Sequence, residues 1–211
     1  TDGTYTVLHA FNGGDDGAFP RSGLVSDGAG NLYGTTEEGG GLGTSLCGDI
    51  GCGTIYRLAP DGTETVLYRF AGADGANPAG DLTLDARGNL YGTTRAGGNL
   101  GQVCPFEPNG CGVVFKLSKH RKQTVLHSFC SQSDCSDGQD PSPNVIRDGE
   151  GNLYGTTLGG GRTQYCVGCG LVFRLSASGT ETIIRNFCSE YKCRDGISSR
   201  TGVILDDEGT L

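Results

Sequence analysis

The chain has 211 residues, of which 39 are Gly, 10 Cys and only 7 Pro, with neither Met nor Trp. So much glycine without a Gly-X-Y period excludes collagen, and no apolar run approaches the roughly 18 residues of a membrane-spanning helix. The net charge of -8, with 16 Lys and Arg scattered along the chain, argues against a nucleic-acid partner.

In chain order, Thr4–Phe11 reads as a strand that ends in Phe. Next come Asn31–Thr36, which is Asn-Leu-Tyr-Gly-Thr-Thr, a Gly-Cys-Gly centred on Cys52 that opens an apolar strand, and a second Thr-Val-Leu strand ending at Phe70. The cycle recurs at Asn89–Thr94, Cys111 and Phe129, then at Asn152–Thr157, Cys169 and Phe187. The closing Phe residues stand 59, 59 and 58 positions apart, so the chain is about three and a half copies of one unit. The expected divisions are a partial unit at 1–21, units at 22–70, 80–129 and 143–187, and a partial unit at 202–211, all within a single repeat domain. The second unit shows the grammar. Asp81–Asp85 alternates as a half-buried strand, Ala86–Asn89 is a hairpin turn, and Leu90–Thr94 is the second strand. A long Gly-rich loop then reaches Gly110, followed by strands at Val113–Leu117 and Thr124–Phe129. Glycine and β-branched residues weigh against helix throughout.

Repeated four-stranded units predict an all-β, β-propeller-type array of antiparallel blades; a parallel β-helix is the alternative. One small sheet cannot bury both faces, so blades stack to share a core. Leu32, Leu90 and Leu153, with Tyr33, Tyr91 and Tyr154, are the candidate core. Gly34, Gly92 and Gly155 are expected to let blades approach one another.

The Gly-Asn-Leu-Tyr-Gly-Thr-Thr string, the Gly-Gly shortly after it, and an upstream Asp-Gly-Ala-Xaa-Pro resemble the GloVer-type tandem repeat of bacterial extracellular proteins. The upstream motif stands at Asp16–Pro20 and Asp74–Pro78, with variants at Asp137–Pro141 and Asp195-Gly196. The resemblance covers essentially the whole chain. It implies a propeller-like repeat in secreted or surface-anchored proteins and no particular activity. The heavy cysteine content departs from the basic repeat.

The ten cysteines fall into five neighbouring pairs: Cys47 and Cys52, Cys104 and Cys111, Cys130 and Cys135, Cys166 and Cys169, Cys188 and Cys193. Units with Cys130 or Cys188 also carry a second Cys five residues on, while at the matching Asn12 and Ala71 both are missing. Cysteines that come and go together are most simply bonded together, although sequence alone does not fix connectivity. An even count in an acidic chain points to an oxidising, extracellular setting. Cys166-Val167-Gly168-Cys169 also has the spacing of a zinc knuckle or redox motif, but no regular second pair accompanies it.

Catalytic signatures are absent: no nucleophile elbow, HExxH or P-loop occurs. Of the three histidines, His120 sits in a basic turn, Lys119–Lys122. His9 and His127 share a repeat position that is Tyr68 or Arg185 elsewhere, which reads as an exposed strand site. Asp16, Asp74, Asp137 and Asp195 recur in Asp-Gly turns, and Asp27, Asp85, Asp148 and Asp206 recur before the hairpin. Turn chemistry explains both sets. A Ca²⁺ site at Asp16, Asp74, Asp137 and Asp195 is the functional reading; otherwise no cofactor is implied. A catalytic carboxylate pair is normally unique rather than copied in every unit.

The sequence therefore predicts a non-enzymatic extracellular structural or adhesive repeat protein that associates with itself, as a ring or a fibre, through incomplete end blades; Thr1 in place of Met fits a processed or partial chain. A carbohydrate-active enzyme, or a Ca²⁺- or glycan-binding module, is the alternative.

Overall fold

The computed structural model describes residues 3–41, 47–99, 101, 104, 110–206 and 211. Among them the fold is all-β, without an α-helix; two one-turn 3-10 segments lie at Ser133–Cys135 and Tyr191–Cys193. No helix among the described residues is long and apolar enough to cross a membrane.

The strands form three antiparallel sheets in the sequence order of the repeat. The first holds β1 (Val25–Ser26), β2 (Leu32–Thr36), β3 (Thr54–Leu58) and β4 (Glu64–Arg69). The second holds β5 (Thr83–Leu84), β6 (Leu90–Thr94), β7 (Val113–Leu117) and β8 (Gln123–Ser128). β9 (Gln139–Pro141) pairs onto β11 (Leu153–Gly159) of the third sheet, whose main path is β10 (Ile146–Arg147), β11, β12 (Leu171–Leu175) and β13 (Glu181–Asn186). The Asp81–Asp85 strand shrinks to the two residues of β5, which pair only with Leu90 and Tyr91.

The Asn-Leu-Tyr-Gly-Thr-Thr string is explained residue by residue. Its Gly lies opposite an aromatic residue in the next strand: Gly34 faces Tyr56, Gly92 faces Phe115, and Gly155 faces Phe173. A Cβ at Gly92 would stand 2.8 Å from the Phe115 ring and 3.0 Å from Leu82. These glycines therefore make room for a ring within their own sheet, rather than for the approach of a neighbouring one. The second Thr closes the turn after the strand. Thr36, Thr94 and Thr157 donate to the carbonyls of Glu38, Ala96 and Gly159 at 2.9, 2.8 and 2.7 Å. The first Thr reaches the next unit: Thr93 donates to the Ser142 carbonyl at 3.0 Å, and Thr156 to the Thr201 carbonyl at 2.8 Å.

The cores lie between sheets. One buried cluster joins Ile55 and Phe70 of the first unit to Leu90, Val113, Phe115 and Leu117 of the second. The other joins Val114 and Phe129 to Leu153, Leu171, Phe173 and Leu175. Phe11, Phe70 and Phe129 each meet the third-strand aromatic of the following unit edge to face. Ring centroids are 4.9 Å apart for Phe11 and Tyr56, 5.2 Å for Phe70 and Phe115, and 5.3 Å for Phe129 and Phe173, a geometry aromatic rings favour.

Residues 4–11, predicted as a strand, have no strand conformation in a ladder, although Phe11 packs as its counterparts do. A strand needs hydrogen-bonded neighbours, and this segment has no third strand beside it. Of the expected terminal unit at 202–211, residues 207–210 lie outside the described residues.

Candidate functional site

Two sets of aspartates recur, and the structure gives them different tasks. In the hairpin set, Oδ1 of Asp27, Asp85 and Asp148 accepts the amides of Asn31, Asn89 and Asn152 at 2.9, 2.8 and 2.8 Å. Oδ2 accepts the Asn side-chain amide and the hydroxyl of Tyr33, Tyr91 or Tyr154. Both oxygens are committed to the turn, as Asx chemistry favours. The hairpin after Asp206 falls on residues 207–210, outside the described residues.

The Asp-Gly set anchors the connections between units. Asp16 accepts the amide of Asn12 at 2.9 Å, Asp74 that of Ala71 at 2.8 Å, Asp137 that of Ser131 at 2.8 Å, and Asp195 that of Ser189 at 2.9 Å. Each sits in its own connection. Among the described residues, no cluster of three or more close ligand atoms contains two of them.

What faces each of these carboxylates comes from the fourth strand, at the position occupied by His9, Tyr68, His127 and Arg185. Tyr68 donates its hydroxyl to Asp74, Arg185 donates to Asp195 at 3.0 Å, and Nε2 of His9 lies 3.6 Å from Asp16. His127 lies 3.7 Å from Asp137 with its side chain only 13% exposed. The reading of His9 and His127 as exposed strand residues is corrected. At His127 a β-bulge is the cause, whereas His9 lies outside any ladder. The ladder slips between Val114 and Phe115, so Leu126 has no partner across the strand pair. The same slip occurs between Ile55 and Tyr56 and between Val172 and Phe173. A bulge breaks the in-out alternation and turns the next side chain toward the Asp-Gly loop.

At His127 a third group joins. Oε1 of Glu181, the first residue of β13, lies 3.7 Å from His127 Nε2. The three ligand atoms of His127, Asp137 and Glu181 lie within 4.8 Å of one another. Asp137 is wholly buried, and the Glu181 side chain is 8% exposed. Neither His127 Nε2 nor Glu181 Oε1 has a hydrogen-bond partner. Burial, helped by the negative charge of Asp137, pushes the Glu181 carboxyl up to about 7. Burial holds the His127 imidazole below its ordinary value, against the pull of Asp137. Asp137 is held in place, since the Oδ2 that faces His127 also accepts the Ser131 hydroxyl at 2.6 Å and Oδ1 accepts the Gln132 amide at 3.3 Å.

Glu181 was not legible as a site residue. It stands 54 positions after His127, and the stacking of the third unit on the second brings it in. One signal was available: the position holds Glu64 and Glu181 where the facing residue is His, and Gln123 where it is Tyr.

The ten cysteines form five disulfides: Cys47–Cys52, Cys104–Cys111, Cys130–Cys135, Cys166–Cys169 and Cys188–Cys193. Bonded sulfurs are not thiolates, so Cys166 and Cys169 are no zinc knuckle in this state. Cys130–Cys135 and Cys188–Cys193 close the two longer Asp-Gly connections. His120 lies on the exposed turn between β7 and β8.

A family model described as the Gloeobacter/Verrucomicrobia repeat matches residues 1–211. No curated protein matches the chain. Among solved structures, a candidate gluconolactonase is 18% identical, with 75% of this chain and 44% of that one covered and a TM-score of 0.39. A luciferin-regenerating enzyme is 15% identical over 77% of this chain and 44% of its own, with a TM-score of 0.42. Dipeptidyl peptidase 4 of Porphyromonas gingivalis is 13% identical over 79% of this chain and 18% of its own, with a TM-score of 0.43. The chain spans less than half the length of each of these structures.

Proposed function

The chain belongs to the Gloeobacter/Verrucomicrobia repeat family, and from that membership we propose that it is a non-enzymatic structural or adhesive repeat protein that acts outside the cytoplasm and associates with further units of its own kind. The observation that carries this reading is the outer face of β13. Ile183 and Ile184 are 36% and 47% exposed there. Their repeat equivalents, Val125 with Leu126 and Val66 with Leu67, are half-buried, and Val125, Leu126 and Leu67 pack onto the clusters shared between sheets. These exposed side chains support the addition of another sheet of the same repeat on the face of β13, as a propeller-type array requires. Five short-range disulfides support an oxidising, extracellular setting.

The test is the assembly state of the oxidised chain, measured by light scattering and electron microscopy across a concentration series. Assembly is expected for the unaltered chain and dispersal for I184D. A protein that stays monomeric at every concentration, with or without the substitution, sinks the reading.

A further inference from the structure

We propose that His127, Asp137 and Glu181 form a binding site for a divalent transition-metal ion, which clamps the third repeat unit to the second. Three features point to a ligand. Glu181 is nine-tenths buried and its Oε1 has no hydrogen-bond partner. His127 Nε2, also unpartnered, lies 3.7 Å from that oxygen. The distances of 3.7 Å from Nε2 to both carboxylate oxygens are too long for hydrogen bonds. They are close to the roughly 3.3 Å that separates two ligand atoms held about 2.0–2.1 Å from a tetrahedral ion. Asp137 is already oriented by Ser131 and Gln132, as outer-shell partners orient metal carboxylates.

The other unit junctions act as internal controls. Between the first and second units the corresponding residues are Tyr68, Asp74 and Gln123. There the Tyr68 hydroxyl and a Gln123 amide bond at 3.0 Å to the Asp74 carbonyl satisfy the aspartate's neighbourhood without an ion. At the first junction the residues are His9, Asp16 and Glu64, and again His9 Nε2 and Glu64 Oε1 lack partners. Histidine and glutamate therefore occur together, and tyrosine and glutamine occur together. Of these three junctions, only at His127, Asp137 and Glu181 do the ligand atoms gather within 4.8 Å of one another. A nitrogen with two carboxylate oxygens suits Zn²⁺ or a neighbouring first-row ion, whereas Ca²⁺ favours six to eight oxygens.

The experiment uses the oxidised full chain, stripped with EDTA and dialysed into metal-free buffer, with Zn²⁺ and Co²⁺ as the added ions. Zn²⁺ at a hundredfold excess over its dissociation constant is expected to raise the melting temperature by roughly 5–10 °C. Co²⁺ is expected to give visible ligand-field bands, and Ca²⁺ to change nothing. The double substitution H127Y/E181Q installs the pair that already works at the neighbouring junction. It is expected to keep the circular dichroism of the unaltered chain and to bind one equivalent less of metal. E181Q alone keeps the size of the side chain and is expected to weaken uptake. Equal uptake by the unaltered and doubly substituted chains, no uptake by either, or an equal response to Ca²⁺ overturns the proposal.

Discussion

The hydroxyl of Tyr33 donates to Oδ2 of Asp27 across 3.0 Å, and Tyr91 with Asp85 and Tyr154 with Asp148 repeat the bond at 3.1 and 3.0 Å. The Asn-Leu-Tyr string is thereby tied to an aspartate upstream of it. The side-chain amide of Asn31, then its backbone and the Tyr33 hydroxyl, outweigh burial and hold Asp27 at about 2 against an ordinary 3.8. A folded-state value below the unfolded one gives stability that is full above the unfolded value and is lost as pH falls through the folded one. The melting temperature is expected to drop between about pH 4 and pH 2. Asp27→Asn should lower it at neutral pH and flatten that drop; an equally steep drop in the variant would refute the assignment.

Gly92 faces the Phe115 ring. G92A pushes a methyl group into a filled core and is expected to cost about 1–3 kcal/mol. Gly149 has open space around it, so G149A should stay within about 0.5 kcal/mol of the unaltered chain. Chemical denaturation of both variants checks the contrast.

Cys130 and Cys135 take φ of 57° and 50°, and Cys188 and Cys193 take 58° and 52°, a region that favours glycine. C130A/C135A removes a short cross-link and is expected to lose about 2 kcal/mol. C130G/C135G is expected to lose less, since glycine relieves the left-handed backbone. Non-reducing peptide mapping should recover Cys130 joined to Cys135 and Cys188 joined to Cys193.

Phe129 is fully buried against Phe173, while Phe187, its counterpart one unit on, is half-buried. F129A is expected to cost about 3–5 kcal/mol. F187A should cost clearly less in dilute solution, and the gap should narrow under conditions where chains associate. Equal costs in dilute monomer would mean that the end face is already covered.

What the sequence made legible is what lies close along the chain. The Asp27, Asn31 and Tyr33 turn, the hairpin strands and the neighbouring cysteines all meet within a few residues, so spacing alone reveals them. The His127 site depends on two things that spacing hides. A bulge reverses the side-chain alternation just before His127, which is why that position reads as exposed. The stacking of sheets then brings in Glu181 from the next unit. The glycine after each Tyr could be recognised as a site of close approach, but whether the approaching group came from the same sheet or the next was set by strand register.

Because each hydrophobic core lies in the gap between consecutive sheets, copy number and stability are coupled in whole steps. Gaining one full period adds a sheet and a core together. Losing a fragment of a period damages the gap on either side of it. Duplication and deletion in multiples of about 59 residues are thus the length changes such a gene can tolerate, and those that break the period are the ones selection should remove.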